Sequence, residues 1–221
     1  MDKVAFRPME TSNPKEPDHP TLLLAVTGGA ASGKSAVCNH LAALSAHVID
    51  LDALSRKAAA PGTAVLAAIE DQFGPDIISP DGRLRRRKLR DIITRNRGAR
   101  QQLESLIHPE IFRLMEQDIR NAKNDGEALI VVEVPLLYET GMESLFDAVV
   151  VVTADAGVRI QRLMKRDGVS REQAQALLNA QMDDAEKMAR SRYVIFNNDS
   201  PESLMQDVER LYGELEKLRM A

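Results

Sequence analysis

The stretch Leu22–Ser35, LLLAVTGGAASGKS, constrains this chain more than any other. Its apolar run, Leu22–Val26, is short enough for a buried strand and breaks into Gly28-Gly29-Ala30-Ala31-Ser32-Gly33-Lys34-Ser35. That segment fits G-x-x-x-x-G-K-[ST] at every fixed position, and Val37, Leu41 and Leu44 then recur at helical spacing. Strand, glycine-rich loop and helix in this order are the context a phosphate loop requires. The loop's glycines let successive N–H groups converge on one concavity. The helix N-terminus adds unpaired N–H groups and the positive end of a dipole. Gly28, Gly29, Ala30, Ala31, Ser32, Gly33, Lys34, Ser35 and Ala36 are therefore the expected nucleotide-binding residues. Lys34 sets a point charge on the β/γ-phosphates of ATP, and the Ser35 hydroxyl is placed to ligate Mg²⁺.

The rest of the chain narrows what such a loop serves. A length of 221 residues with 44% hydrophobic content suits one α/β core with a modest insertion. A net charge of -4 argues against bulk binding to nucleic acid or anionic membrane, and the absence of Trp with few aromatics argues against base-stacking platforms. Cys38 is the single cysteine, which rules out an intrachain disulfide or a CxxC metal site; its place in the loop's helix makes it a core residue. No apolar run approaches the ~18 residues that span a bilayer, and the N-terminus lacks the apolar centre of a secretory signal. A cytoplasmic enzyme, monomeric or weakly self-associating, with no nucleic-acid or membrane partner, is expected.

Taken in order, residues 1–20 are proline-rich and aperiodic, which predicts a disordered leader. The second strand, His47–Asp50, delivers Asp50 and Asp52 to the crevice outside the strand ends where α/β sheets bind ligands. Two acids so spaced also serve as turn formers or a helix cap; at least one is expected in the active site, Asp52 being preferred. Residues 53–125 read as a helical insertion over the crevice, with a turn at Asp81-Gly82 and a basic run through Arg83, Arg85, Arg86, Arg87, Lys88 and Arg90. Most of that run reads as a solvated face, with one arginine available to clamp a phosphate of the acceptor. A helix over Gln101–Asn121 is expected to kink at His108-Pro109. Ala128–Val134 and Asp147–Thr153 are continuous apolar strands. Glu133, near the end of the first, is placed to orient a metal's water shell from the second shell of a phosphate-loop site.

Two charged helices follow, joined at Asp167-Gly168, the second opened by the capping box Ser170-Arg171-Glu172-Gln173. Arg162 and Arg166 share a face, and the pair reads either as a mobile lid carrying arginines to the transferring phosphate or as an exposed salt-bridged hairpin. A strand at Tyr193–Phe196 and a C-terminal helix with an apolar stripe close the chain.

TGGAASGKS, VIDLD, DGRLRRRKLR, LIHPEI, VPLLYE, RLMKRDGVS, LLNAQM and YVIFNN stand in the order found in dephospho-coenzyme A kinases, and the chain resembles that family over Leu22–Leu218. The resemblance implies an α/β fold with a three-layer P-loop core and a mostly parallel five-stranded sheet. It divides the chain into a core of 21–52, 126–153 and 192–221, an acceptor-binding helical insertion over about 53–125 and a small helical lid over about 154–191. It implies transfer of the ATP γ-phosphate to the ribose 3′-hydroxyl of dephospho-coenzyme A, the last step of coenzyme A biosynthesis. By position, Asp52 matches the acid proposed to accept the hydroxyl proton. Lys34 and Ser35 match the phosphate and Mg²⁺ residues, Arg162 and Arg166 the lid arginines, and Asn197 the residue near the adenine. Arg86 and His108 match positions in the acceptor-binding helices, His108 also reading as an ordinary kink residue. Ala31 stands where the family often has glycine, acceptable with ordinary backbone angles; Ala36 stands for a common threonine, and Phe196 for a usual aspartate.

A nucleoside or nucleoside monophosphate kinase would share this core, and a regulatory nucleotide switch would share the loop. A GTPase switch would carry an N-K-x-D segment to read guanine, and this sequence has none.

Overall fold

The computed structural model of the chain describes residues 20–220. The expected leader, Pro20 apart, lies outside the described residues. Five strands, β1 (Leu22–Thr27), β2 (His47–Asp50), β3 (Leu129–Glu133), β4 (Ala148–Thr153) and β5 (Tyr193–Phe196), form one sheet in the order β2-β3-β1-β4-β5. Every pairing is parallel, so the sheet expected to be mostly parallel is parallel throughout. β1 is central, with Leu24 opposite Val131 on one side and Ala148 on the other. Its loop therefore emerges mid-sheet, at the carboxyl edge between oppositely running crossovers, where such sheets bind ligands.

Helices cover both faces, which is why β4 is buried along its whole length. On one face α1 (Lys34–Ala43) and α10 (Pro201–Met220) bring Val37, Leu41, Val208 and Leu215 onto Leu24, Val131 and Val150. Cys38 is buried in this layer, as expected. On the other face α2 (Leu51–Ala58), α5 (Arg97–Asn124) and α6 (Leu137–Thr140) pack Leu54, Leu114, Met115 and Leu137 onto Ile49, Ile130 and Val132. The result is the three-layer arrangement.

Between β2 and β3, α2 leads into α3 (Ala64–Phe73), a 3-10 turn, α4 (Arg86–Arg95) and α5, which enclose a small core of Ala59, Ile69, Ile77 and Leu89. The Asp81-Gly82 turn is present: Ile78 and Leu84 bridge antiparallel across it. Leu84 thus precedes α4. Between β4 and β5 lie α7 (Ala156–Asp167), α8 (Arg171–Asn179) and a third helix, α9 (Asp184–Ala189), where two helices were expected. The capping box at Ser170 forms in both directions: Ser170 Oγ accepts from the Gln173 N–H at 3.3 Å, and Gln173 Oε1 accepts from the Ser170 N–H at 2.9 Å.

α5 runs from Arg97 to Asn124 with Pro109 inside, so the chain stays helical through His108-Pro109, where a kink is expected. An interior proline costs about 3 kcal/mol, whereas each fully buried apolar side chain contributes about 1.5–3 kcal/mol. Leu114, Met115 and Ile119, buried on the sheet, hold the helix together beyond it. Pro109→Ala is accordingly expected to raise the thermal midpoint, with a gain of about 1–3 kcal/mol in denaturant titration. A loss instead would mean that the proline bend is needed for packing.

Candidate active site

The phosphate loop is crowded from below. Gly33, at φ 103°, is the N-cap of α1. A Cβ there would overlap the Asn197 side-chain amide, and one on Gly28, at φ 145°, would overlap the Val152 carbonyl. Ala31 departs from the expectation of ordinary angles: its φ is 57°, in the left-handed region. That conformation costs a residue with a Cβ about 1–2 kcal/mol. Ala30 and Ala31 are in turn packed against Ile160, Leu163 and Ala174 of α7 and α8.

Lys34 Nζ donates to the Gly28 and Gly29 carbonyls at 3.1 and 3.2 Å, so the ammonium is folded over the loop. Burial pulls its pKa down, opposed by Glu133 and Asp52. Ser35 Oγ donates to Glu133 Oε1 at 2.9 Å. Burial raises the Glu133 pKa, while Ser35 and Lys34 oppose the rise. Beneath them burial, with Glu133, pushes the Cys38 thiol up, so it stays neutral.

The two aspartates after β2 divide their work. Asp50 is the N-cap of α2, its Oδ1 accepting from the N–H groups of Asp52 at 2.7 Å and Ala53 at 3.1 Å. Its other oxygen lies 3.4 Å from Arg56. Asp52 sits in the first turn, exposed, its carboxylate with no hydrogen bond or ion pair among the described residues. The favourable field of a helix N-terminus acts on it. Arg86 reaches the same neighbourhood: burial and Arg56 weigh against its charge, and Asp52 supports it. Ser35 and Glu133 are thus joined by a hydrogen bond, and the charges of Lys34, Glu133, Asp52 and Arg86 act on one another.

On the opposite wall, Arg162, Lys165 and Arg166 line a 470 Å³ depression with Lys34, Ser35 and Ala36. Arg162 donates to the Asn197 carbonyl at 2.9 Å and to the Ala31 carbonyl at 3.4 Å. Arg166 forks onto Asp167 at 2.7 and 2.8 Å. The Asn197 amide lies under the loop, donating to the Ser32 carbonyl at 2.8 Å. His108 belongs to a different cavity, beside Phe112, with ring centroids 5.9 Å apart.

Two side chains not expected at the site, Arg159 and Gln181, bond the loop directly, and Asp184 and Lys187 form ion pairs nearby. Arg159, only 5% exposed, donates from Nε to the Ala30 carbonyl at 2.9 Å and ion-pairs with Asp184. Gln181 Oε1 accepts from the Ala30 N–H at 2.7 Å. Lys187, fully buried, lies 3.1 Å from Glu139 Oε1 as an ion pair without hydrogen-bond geometry. In sequence Arg159, Asp184 and Lys187 read as charges on surface helices. The available signal was that Arg159 adjoins Ile160 and precedes Leu163 by one turn, on the apolar stripe.

A phosphate loop facing acidic and basic walls is common to many kinases, and comparison decides among them. The dephospho-CoA kinase family pattern matches residues 22–202. A dephospho-CoA kinase from Anaeromyxobacter dehalogenans is 42% identical over 193 residues, 87% of this chain and 92% of its own length. The chain belongs to the dephospho-CoA kinase family. Another such kinase, from Geobacter sulfurreducens, is 40% identical over 87% of this chain and 98% of its own. Among solved structures, a Thermus thermophilus protein superposes with a TM-score of 0.77 at 32% identity, over 88% of this chain and 98% of its own. A Campylobacter jejuni dephospho-CoA kinase gives 0.67 at 26%, over 88% and 97%. An Acinetobacter baumannii shikimate kinase, at 16% identity and a TM-score of 0.50 over 92% and 97%, shares the fold. The family is one of ATP-dependent kinases, so the nucleoside-kinase and switch readings give way.

The raised Glu133 pKa has a testable sign. A carboxyl that binds its proton more tightly when folded contributes stability below its unfolded pKa and loses it as pH rises through the folded value. In metal-free buffer Glu133→Gln is therefore expected to melt above the parent protein at pH 7. The gap should close as pH falls below the ordinary glutamate range, and equal melting across the range would contradict this.

Proposed function

We propose that this chain transfers the γ-phosphate of ATP to the ribose 3′-hydroxyl of dephospho-CoA, with Asp52 as the group that orients the hydroxyl and accepts its proton. The observation that carries this reading is the contrast between the two aspartates: Asp50 is spent on its helix cap, and Asp52 is exposed and uncommitted beside Lys34 and Glu133. Phosphoryl transfer asks chiefly for alignment and charge neutralisation. Backbone N–H groups of the loop and Lys34 supply the second for the β- and γ-phosphates. The loop carbonyls that now hold Lys34 and Arg162 are poor competitors for a phosphate, so both cations are available to exchange partners when ATP arrives. Arg162 and Lys165 stand on the far wall, with Arg166 released to the nucleotide only by leaving Asp167. Residues 53–125 form the acceptor side and residues 154–191 a lid over the nucleotide. Asn197 acts through the loop it supports.

Mg²⁺ fits the donor set. Ser35 Oγ and the Glu133 carboxylate are hard oxygens 2.9 Å apart, and among the described residues no group of three or more His, Cys, Asp or Glu could hold a metal. That is the pattern for an ion completed by phosphate oxygens and water. Ser35 would be its direct ligand and Glu133 would orient its water; bound there, Mg²⁺ supplies neutralisation of the phosphate charge. No helix among the described residues is long and apolar enough to cross a membrane, which suits the cytoplasmic setting we propose.

The test is ADP release with dephospho-CoA against a panel of nucleosides and nucleoside monophosphates, with the product phosphorylated at the ribose 3′ position. Turnover confined to a nucleoside would overturn the acceptor. Asp52→Asn is expected to lower kcat by about 10²–10⁴-fold, the usual worth of a positioned base, with ATP affinity retained. Undiminished turnover would remove Asp52 from that role.

A further inference from the structure

The connector between α8 and α9 carries a polar group that the phosphate chemistry above leaves unused. Gln181 closes the last turn of α8, its N–H donating to the Leu178 carbonyl at 3.2 Å, and it is half-buried. Its side chain meets the phosphate loop at Ala30, whose N–H donates to Gln181 Oε1 at 2.7 Å. A backbone N–H can only donate, so the carbonyl end of the carboxamide faces the loop. The amino end, with two N–H donors, is left over. It has no hydrogen-bond partner among the described residues.

The mount on which those donors sit is fixed from several sides. The Ala30 carbonyl accepts from Arg159 Nε at 2.9 Å, and Arg159 is ion-paired with Asp184, three residues after Gln181. Asp184 also accepts from Thr153 Oγ1, at the end of β4, at 3.1 Å. Next to Gln181, the Met182 N–H donates to Glu139 Oε1 at 3.4 Å. The place is chemically specific as well. Lys34 Nζ, the group that meets the β/γ-phosphates, rests on the carbonyls of Gly28 and Gly29, the two residues before Ala30. Arg162, Lys165 and Arg166 line the depression beside Lys34 and Ser35, and Gln181 stands outside it. Its donors therefore serve a flank of the loop that those three cations do not line.

We propose that Gln181 is a catalytic residue of the phosphoryl transfer: anchored through its carbonyl on the Ala30 N–H, it donates from its amino group to an oxygen of the γ-phosphoryl group as that group transfers. The inference rests on the phosphoryl-transfer reading above. A neutral donor on a fixed mount stabilises charge on the equatorial oxygens in the transition state. It adds nothing to the binding of a nucleotide that lacks them.

The test compares Gln181→Glu and Gln181→Met in the full chain, by turnover with ATP, Mg²⁺ and dephospho-CoA and by titration with ADP. Gln181→Glu keeps an oxygen for the Ala30 N–H and loses the donors, which separates the anchor from the chemistry. It is expected to lower kcat by about a hundredfold, the usual worth of one positioned donor, with Kd for ADP little changed. Gln181→Met removes the donors without adding a charge, and its kcat should fall to a similar degree. Near-parent kcat in Gln181→Glu, or a loss of ADP affinity that matches its loss of kcat, would reduce Gln181 to a support for the loop and overturn the proposal. A fall confined to Gln181→Glu would trace to the added charge and overturn it too. Failure of the parent protein to phosphorylate dephospho-CoA at all would instead overturn the reading on which the proposal rests.

Discussion

Everything at this site depends on how closely the phosphate loop is approached by the parts beneath it. The Val152 carbonyl, the Arg159 guanidinium and the Asn197 amide each occupy the space where a Cβ on Gly28, Gly29 or Gly33 would sit. They come from β4, α7 and the end of β5, so the loop is shaped by three separate segments of chain. Glycine at these points is a packing requirement as much as a conformational one. Ala31 shows the other side: a residue with a Cβ is kept in a left-handed conformation because its methyl is gripped by α7 and α8.

That dependence explains what could be read in advance. Motif, strand order of hydrophobicity and turn chemistry are local, and they placed β1 to β5, α1, α10 and the Asp81-Gly82 turn correctly. Of the residues carried by local motif, Ser35 bonds Glu133, and the charges of Glu133 and Asp52 act on Lys34. Asp50 and Asp52 could not be separated in sequence, because which one caps α2 depends on where that helix begins. The helix continues through Pro109 because its local cost is outweighed by burial of residues further along α5, on a sheet distant in sequence. Gln181, Asp184 and Lys187 were illegible for the same reason: nothing near them in sequence marks their contacts with distant segments. Only Arg159 carried a signal, its place on the apolar stripe of α7.

Those hidden charges also carry an energetic lesson. A charge taken out of water is costly unless its partner is fixed and close. Arg159 meets Asp184, which also accepts from Thr153 Oγ1 at 3.1 Å, and Lys187 meets Glu139. Such pairs are weak evidence for net stability, and removing one member leaves the other stranded. Their geometry explains why they sit here: Asp184 is tied to Arg159, which also donates to the loop's Ala30 carbonyl, and Lys187 to Glu139 of α6, so the stretch after α8 is anchored at two points.

The hydrogen bond from Asn197 to Ser32 spans 165 positions of the chain. Contacts so distant in sequence form slowly, since the entropy of closing the intervening loop is lost before the contact forms. During synthesis the loop sequence emerges early, yet the groups that shape it arrive almost last. A nascent chain ending before β5 holds the phosphate-binding motif without the support that turns it into a site. Nucleotide affinity is thus a late event in the folding of this kinase, and a sensitive report that its final strand has docked.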